Sequence, residues 1–307
     1  MASDSHTALP GTVFTGSVVS AGVVRCHPSA PAFAAAEVVD GYRFVFPRLA
    51  VWIKTSRARR YVSNPSVVEY YNDGDEYSRE PLDPRGDSTE WFAVSEPVVR
   101  DIVARHDPAA ADARRPFRPA HGPTDRRAYA AQRLLSQRLS AEAFVEPLEV
   151  EERVLALLDA SLSRVYGARG QADPFVTRND RDIAERATAV LSRMTHRHVT
   201  LAGIGREAAV SVFHLSRIFR RVTGQTLAQH HLHLRLLTSL EPLLETDATI
   251  SVIARQSGFA SHSHFSSVFR RLFGLSPSAL RALPARARGE TLNGARARSA
   301  AAANATC

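Results

Sequence analysis

Cysteine, lysine and long apolar runs are all scarce in this chain of 307 residues. Cys26 and Cys307 are its two cysteines, which are too few for a disulfide framework, and no apolar run is long enough to cross a bilayer. The sequence also shows no signal peptide, so these absences together predict a reduced protein of the cytoplasm without a membrane partner. Lys54 is the single lysine, so arginine carries nearly all of the positive charge.

The most informative feature that is present is a repeat in the C-terminal third. FRRVTG at 219–224 returns as FRRLFG at 269–274, and aligning the two also places His214 on His264 and Phe219 on Phe269. Two copies about 50 residues apart predict one small helical unit in tandem rather than a many-fold solenoid.

Each unit has the pattern of two helices joined by a tight turn. In the second unit, ISVIARQS at 250–257 has helical apolar spacing, Gly258 can end that helix, and Ser261 can cap the next one. The first unit repeats this pattern with Ser211 as the cap. Its turn has Ala209 at a position where glycine would adopt the backbone conformation more easily. This turn is one residue shorter than the turn of the second unit. The two patterns predict a tandem helix-turn-helix.

Between about Asp182 and Leu283 the sequence resembles the AraC/XylS family of transcription regulators. The resemblance rests on LSRIFRRVTGQT in the first unit, RL at 235–236, and GFASHSHFSSVFRRLFGLSPSALR in the second unit. It implies an all-α DNA-binding domain in which a long helix bridges two helix-turn-helix units. It also implies RNA polymerase as a partner and activation, rather than repression, of a nearby promoter.

The charge of the chain favours double-stranded DNA as the partner. The net charge is +8 and the isoelectric point is about 10.1. From Asp173 onward the sequence has roughly twice as many basic as acidic residues, which is typical of a protein that binds phosphates. The basic stretch at 285–307 has little apolar bulk and is predicted to be a disordered, solvated tail.

The resemblance also implies which residues contact DNA. In the family, base edges are read by the exposed first turn and a half of the second helix of each unit. Carried over to this sequence, the base-reading residues are Phe213, Ser216 and Arg217 in the first unit and His262, Ser263 and Ser266 in the second. Arg220, Arg221, Arg270 and Arg271 are expected to contact phosphates. Arg217 either reads a guanine or clamps a phosphate, and Ser267 at the equivalent position discriminates bases poorly.

The bridge between the units, TLAQHHLHLRLLTSLEPLL, has leucines at helical spacing. Pro242 lies inside this pattern, so the helix is predicted to kink there or to end early. His231 and His233 lie one residue apart in the bridge, where helical geometry turns their rings to different faces.

Upstream of the helical units the sequence predicts a domain of another kind. Short β-branched and aromatic runs separated by turn signals favour an antiparallel barrel or sandwich. The family often has a cupin-like β-barrel there, so the predicted fold class is α+β, with a cupin-like barrel and helical hairpin at 12–167, a linker at 168–176 and the DNA-binding domain at 177–284. The side chains that could line an effector pocket are Glu69, Tyr70, Glu76, Tyr77, Trp91 and Phe92.

A helical stripe near the end of this region raises the question of dimerisation. Val154, Leu155, Leu158 and Leu162 lie on one face of a predicted helix. The stripe packs either on the barrel or on a second copy of the chain, and the second alternative predicts a homodimer that binds paired DNA sites.

The sequence also bears on functions other than transcription regulation. The β-rich region has no HxH motif, and the chain has no Gly-rich phosphate loop or nucleophile motif, so no enzyme activity, metal or cofactor is predicted. One alternative is a DNA alkylation sensor or repair protein, because Cys26 follows Arg25 and precedes His27, which could activate its thiol. A nucleoid-type architectural protein without sequence preference is another alternative.

Overall fold

A computed structural model describes residues 11–142, 144–170 and 173–283. An N-terminal region of antiparallel sheets and helices precedes a C-terminal region of helices, so the predicted mixed fold class is confirmed. The tail predicted at 285–307 lies outside the described residues. Within the three described ranges, no helix has the length and apolar character needed to span a bilayer.

The strands of the described residues form two antiparallel sheets of six and four strands. They are β1 (Thr12–Thr15), β2 (Val19–Cys26), β3 (Glu37–Val38), β4 (Tyr42–Pro47), β5 (Val51–Thr55), β6 (Tyr61–Ser63), β7 (Val67–Tyr71), β8 (Glu76–Pro81), β9 (Asp87–Val94) and β10 (His121–Pro123). The larger sheet has the order β1-β2-β9-β4-β7-β10, and the smaller has the order β3-β8-β5-β6. The sequence predicts an antiparallel barrel or sandwich, and within the described residues the two sheets do not close into a barrel. The outer strands of the smaller sheet, β3 and β6, have 2 and 3 residues.

Side chains alternate between the two faces of the central strands, and this separates the residues of the predicted effector pocket. Tyr70 and Phe92 are buried in the core beneath the helices, whereas Trp91 belongs to a second cluster on the opposite face of the sheet. Glu69 lies on that second face too, where its carboxylate accepts hydrogen bonds from the hydroxyls of Tyr61, at 3.3 Å, and Tyr71, at 3.1 Å. Because neighbouring residues of a strand point to opposite faces, the six predicted lining residues do not form one pocket. Glu76 is exposed, and Tyr77 packs beside Trp91.

Four helices complete the described part of the N-terminal region: α1 (Glu96–Ala104), α2 (Pro108–Ala111), α3 (Arg126–Ala141) and α4 (Pro147–Gly170). Val154, Leu158 and Leu162 of α4 are fully buried in the core that includes the large sheet, and Leu155 packs against the same core. The stripe is thus intramolecular, so its assignment to a dimer contact is wrong. Helix α4 also continues to Gly170, inside the segment predicted as a linker.

The C-terminal region has the predicted tandem organisation. Its helices are α5 (Arg178–Arg193), α6 (Leu201–Ala208), α7 (Val212–Thr223), α8 (Leu227–Glu245), α9 (Ile250–Gln256), α10 (His262–Phe273) and α11 (Pro277–Ala282). Ser211 and Ser261 cap α7 and α10 by accepting the N–H groups of His214 and His264 at 3.3 and 3.1 Å. Left-handed Gly224 and Gly274 end the same two helices. The equivalent caps make α6–α7 and α9–α10 two copies of one unit.

The turns of the two units differ as the sequence predicts. Ala209 has φ 57° and is the only non-glycine residue with a positive φ in the part of the chain that the structure describes. It lies three residues before Val212, whereas left-handed Gly258 lies four residues before His262, so the first turn is one residue shorter.

Replacing Ala209 with glycine is expected to stabilise the protein by about 0.5–1 kcal/mol. Relief of the left-handed strain, about 1–2 kcal/mol, is partly offset by the greater entropy of glycine in the unfolded chain. The same substitution at Ala156, an exposed residue within α4, should instead destabilise by about 1 kcal/mol. Denaturant unfolding of both variants measures the contrast, and a loss of stability in both would contradict it.

Pro242 does not end the bridging helix, because α8 continues to Glu245. The carbonyls of its last turn have other donors. Arg281 donates to the carbonyl of Leu243 at 3.3 Å, and Gln137 of α3 donates to that of Leu244 at 2.7 Å. These side chains stabilise a turn that the proline alone would weaken.

Candidate DNA-binding surface

Helix α7 has one buried face and one exposed face. Leu215, Ile218 and Phe219 are fully buried against α5, α6 and α8. On the opposite face Phe213 is 81% exposed, and Ser216 and Arg217 are exposed beside it. A single exposed apolar side chain is common on protein surfaces, but this ring lies at the start of a recognition helix, where it is accessible to a partner.

Helix α10 repeats this arrangement. Phe265 and Phe269 are fully buried, whereas His262 and Ser263 in the first turn are exposed. The hydroxyl of Ser266 lies 3.4 Å from Nε2 of His262, so these two predicted base-reading residues form one polar group at the start of the helix. His264 differs in role, since its ring packs edge-on against Phe259 with centroids 5.6 Å apart.

The arginines near the ends of the two helices are not equivalent. Arg220, Arg270 and Arg271 are exposed, and none of the ion pairs in the described ranges involves them or Arg217. Arg221, in contrast, pairs with Asp180, a half-turn into α5. This carboxylate is also part of the capping box of α5, where it accepts the N–H of Thr177 at 2.9 Å. Arg221 is therefore engaged within the domain, where it links α7 to α5, and its contact with a phosphate stays a prediction.

The bridging helix α8 positions the two units relative to each other. The ring of His230 packs edge-on against Phe219, with centroids 5.4 Å apart. Arg235 donates to the carbonyls of Thr195 at 2.9 Å and Arg197 at 2.8 Å, and a Cβ atom at Gly258 would lie 3.0 Å from its guanidinium. Arg235 thus lies between the end of α5 and the turn of the second unit.

Arg235 belongs to the RL motif of the sequence, but its contacts with the end of α5 were not predicted. The available signal was an arginine at a half-buried position of an otherwise apolar helix, where the guanidinium requires hydrogen-bond partners. As predicted, His231 and His233 lie on different faces of α8. His231 is hydrogen-bonded to the carbonyl of Met194 at 3.2 Å, whereas His233 borders the helices α3 and α4.

Cys26 lies at the end of β2, away from these helices. It is half-buried and packs with the small cluster of Phe33, Val51, Ile53 and Tyr61. Its thiol contacts the carbonyl of His27 at 4.0 Å, while Nδ1 of His27 lies 2.8 Å from the hydroxyl of Ser29. The imidazole is therefore engaged with serine rather than with the thiol, and this arrangement does not favour the alkylation-sensor alternative.

Comparison with known proteins places the similarity in the tandem units. The helix-turn-helix domain family matches residues 204–282. Regulatory protein SoxS of Salmonella typhimurium is 39% identical over 75 residues, which are 24% of this chain and 70% of SoxS. HTH-type transcriptional regulator ArgR of Pseudomonas aeruginosa is 35% identical over 79 residues, which are 26% of this chain and 24% of ArgR. The match likewise spans 30% of GlxA of Rhizobium meliloti.

Two solved structures are also similar. The DNA-binding domain of AdpA in complex with a target DNA is 29% identical, covers 33% of this chain and 90% of its own, and has a TM-score of 0.31. ToxT from Vibrio cholerae is 15% identical, covers 86% of this chain and 97% of its own, and has a TM-score of 0.34.

Two equivalent helix-turn-helix units on one bridging helix, with a family match that covers both, define a DNA-binding domain of the kind found in transcription regulators. The chain belongs to the AraC/XylS family of these regulators, since its match covers 70% of SoxS at 39% identity.

Proposed function

We propose that this protein is a sequence-specific regulator that activates transcription, with base readout concentrated in the first helix-turn-helix unit. The observation that carries this proposal is the difference between α7 and α10. The exposed face of α7 presents Phe213 and Arg217, an apolar ring beside a guanidinium. The face of α10 presents the hydroxyls of Ser263 and Ser266 and the ring of His262.

The chemistry of these side chains supports different roles for the two units. A guanidinium can donate two hydrogen bonds to O6 and N7 of one guanine, and an apolar ring can contact a thymine methyl group. Serine hydroxyls donate or accept with nearly any base and therefore discriminate poorly. We therefore assign sequence reading chiefly to α7, and to α10 a larger share of positioning through Arg270.

Replacing Arg217 with alanine is expected to weaken binding to the preferred site by about 1–3 kcal/mol and to leave binding to unrelated DNA almost unchanged. Both affinities are measured by titrating full-length protein with a duplex selected from the genome and with a scrambled duplex of equal length. Equal weakening on the two duplexes would assign Arg217 to the phosphate backbone and would contradict the proposal.

Arg270→Ala provides the matched phosphate control in the second unit. This substitution should weaken binding to both duplexes alike. It should also reduce the slope of log affinity against log salt concentration by about 1, because one contact that releases a counterion is lost. Arg221→Ala should behave differently from both. Its partner Asp180 lies inside the domain, so the variant should lose thermal stability while the salt slope is retained.

The regulatory part of the proposal concerns the N-terminal region. We propose that residues 12–167 regulate the DNA-binding domain at 177–284 in response to a small-molecule effector in the cytoplasm, and that bound protein contacts RNA polymerase. Direct contacts between the regions support this coupling: Arg59 pairs with Asp182 of α5 at 2.8 Å, and Glu185 accepts the N–H of Val62 at 2.8 Å. A cupin-like origin of the two sheets, and a homodimer formed through another surface, stay part of this proposal.

A further inference from the structure

A groove runs between the helical hairpin α3–α4 and the C-terminal ends of α7 and α10. Its larger part has a volume of about 960 Å³, and an adjoining part of about 460 Å³ shares Arg126, Arg164, Gln225 and Arg271 with it. A cavity of this size accommodates a small organic molecule. The base-reading residues lie at the opposite, N-terminal ends of α7 and α10, so the groove is separate from the surface that reads DNA.

The charged side chains of the groove are almost all of one sign. Arg126, Arg164 and Arg271 line both parts, whereas Asp125 is the one acidic residue that borders them. Arg164 lies 4.0 Å from Asp125, and within the described ranges Arg126 and Arg271 take part in no ion pair. Three guanidinium groups thus converge on the groove with one carboxylate to balance them.

The pKa values of two groups in the groove reflect their burial and the neighbouring arginines. Burial lowers the pKa of Arg126, and the neighbouring Arg164 and Arg127 lower it further. Burial also lowers the pKa of His233 to about 3, with Arg126 and Arg164 contributing. His233 is therefore neutral at physiological pH, and its Nε2 atom is buried without a hydrogen-bond partner in the part of the chain that the structure describes. A bound anion would neutralise the arginines and could pair with this atom.

The rest of the wall is mixed: Arg127, Arg153, Ser161 and Ser163 line the larger part together with small apolar side chains. Ala128 and Ala131 of α3 face Ala156 and Ala160 of α4, and Leu272 of α10 closes the side formed by the DNA-binding domain. Alanines along both helices leave the space that larger residues would fill. The groove therefore combines a cationic end with a trench that has a strip of alanines along it, which is complementary to an amphipathic anion.

We propose that this groove is the effector site, and that it binds an organic anion whose carboxylate, sulfonate or phosphate group lies among Arg126, Arg164 and Arg271 and whose apolar body lies along the alanines of α3 and α4. The site differs from the predicted pocket between the strands, where Glu69 and its tyrosine partners satisfy one another. Its regulatory use rests on the function proposed above, because a ligand there touches both regions of the chain.

The test uses 8-anilinonaphthalene-1-sulfonate, an apolar ring system with one sulfonate, as the probe of full-length protein without DNA. We expect saturable binding of one probe per chain with enhanced fluorescence. The double variant Arg126→Gln, Arg164→Gln should raise the dissociation constant at least about 10-fold, because charge-assisted hydrogen bonds are lost. Ala131→Leu should also weaken binding, by filling the trench without changing charge.

The matched control is the double variant Arg25→Gln, Arg114→Gln, which removes two exposed arginines that do not line the groove. It should bind the probe as the wild-type protein does, and circular dichroism must show that all variants are folded. Equal affinity in the groove and control variants would overturn the proposal.

The anion could instead be the backbone of bound DNA. In that case the probe would show no saturable site, and Arg126→Gln would reduce the salt slope of DNA binding, which would also overturn the proposal. The probe is titrated in the absence of DNA, so failure of the groove assignment and failure of the Arg217 experiment are distinguishable.

Discussion

Replacing Arg133 with methionine is expected to lower the free energy of unfolding by about 3–5 kcal/mol, since the substitution breaks a buried ion pair and leaves its partner uncompensated. Arg133 of α3 is 1% exposed and pairs with Glu90 of β9, which is also 1% exposed, and with Glu245 at the end of α8. Burial and the neighbouring Arg48 lower the pKa of Arg133 to about 10, so the side chain is still charged at neutral pH.

The surrounding residues limit how far this damage can be repaired. Arg48 lies 3.7 Å from Glu90 and 2.6 Å from Glu245, so it can balance one carboxylate but not both. Because Glu245 belongs to the bridging helix and Glu90 to the large sheet, the variant should also loosen the DNA-binding region from the sheet. Denaturant unfolding measures the loss, and faster hydrogen exchange in the last turn of α8 would locate it.

Arg138→Met is the matched control on the same helix. Arg138 is also buried, but its partners Glu142 and Glu149 have side chains that are 31% and 28% exposed and can be hydrated when the arginine is lost. We expect this control to cost about 1 kcal/mol. Adding Glu90→Leu to Arg133→Met should restore much of the lost stability by removing the orphan charge. Equal costs for the two arginines, or no recovery in the double variant, would contradict the interpretation.

The ion pairs of Arg133 with Glu90 and Glu245 are an example of contacts that the sequence does not predict. The tandem units could be predicted because their signals are local: a serine cap such as Ser211 bonds an N–H three residues away, and Gly274 ends a helix by its own backbone conformation. The exposed positions of Arg217 and His262 follow from the same helical period. Arg133 and Glu245, in contrast, are 112 residues apart in sequence, and no periodicity relates them.

Long-range partners also determine the surroundings of individual residues. Arg221 has the same local pattern as Arg271, yet Asp180, 41 residues upstream, pairs with it and engages it within the domain. The α4 stripe was correctly predicted to be apolar, but amphipathicity alone does not tell whether a face packs on the same chain or on another copy. In both cases the local pattern identified the chemistry of the residue, and the tertiary partner decided its role.

The second large expected effect is a dependence of stability on pH that originates in the bridging helix. Burial lowers the pKa of His230 to about 4, and His231 beside it contributes to the shift. In the unfolded chain the ring takes up a proton near pH 6.5, whereas in the folded protein it stays neutral until about pH 4. The stability that His230 contributes is therefore fully present above pH 6.5 and is lost as the pH falls towards 4.

The contribution of Glu69 to stability changes with pH in the opposite direction, so this residue serves as an internal comparison. Burial raises its pKa to about 7 from an ordinary value of 4.5. Its carboxyl group is protonated in the folded protein before it is protonated in the unfolded chain, so its contribution is present below pH 4.5 and is lost as the pH rises to 7. Acidification thus weakens the bridging helix and favours the sheet interior.

Single substitutions should separate the two effects. Between pH 7.5 and 5, His230 should account for a loss of about 2 kcal/mol in the free energy of unfolding, and Glu69 for a gain of similar size. His230→Gln should therefore make the protein less sensitive to acid, whereas Glu69→Gln should make it more sensitive, each by about 2 kcal/mol over this range. Urea unfolding at the two pH values measures the slopes. If both variants kept the wild-type pH dependence, neither side chain would be titrating from a buried position, and the packing of His230 against Phe219 of α7 would have to be reconsidered.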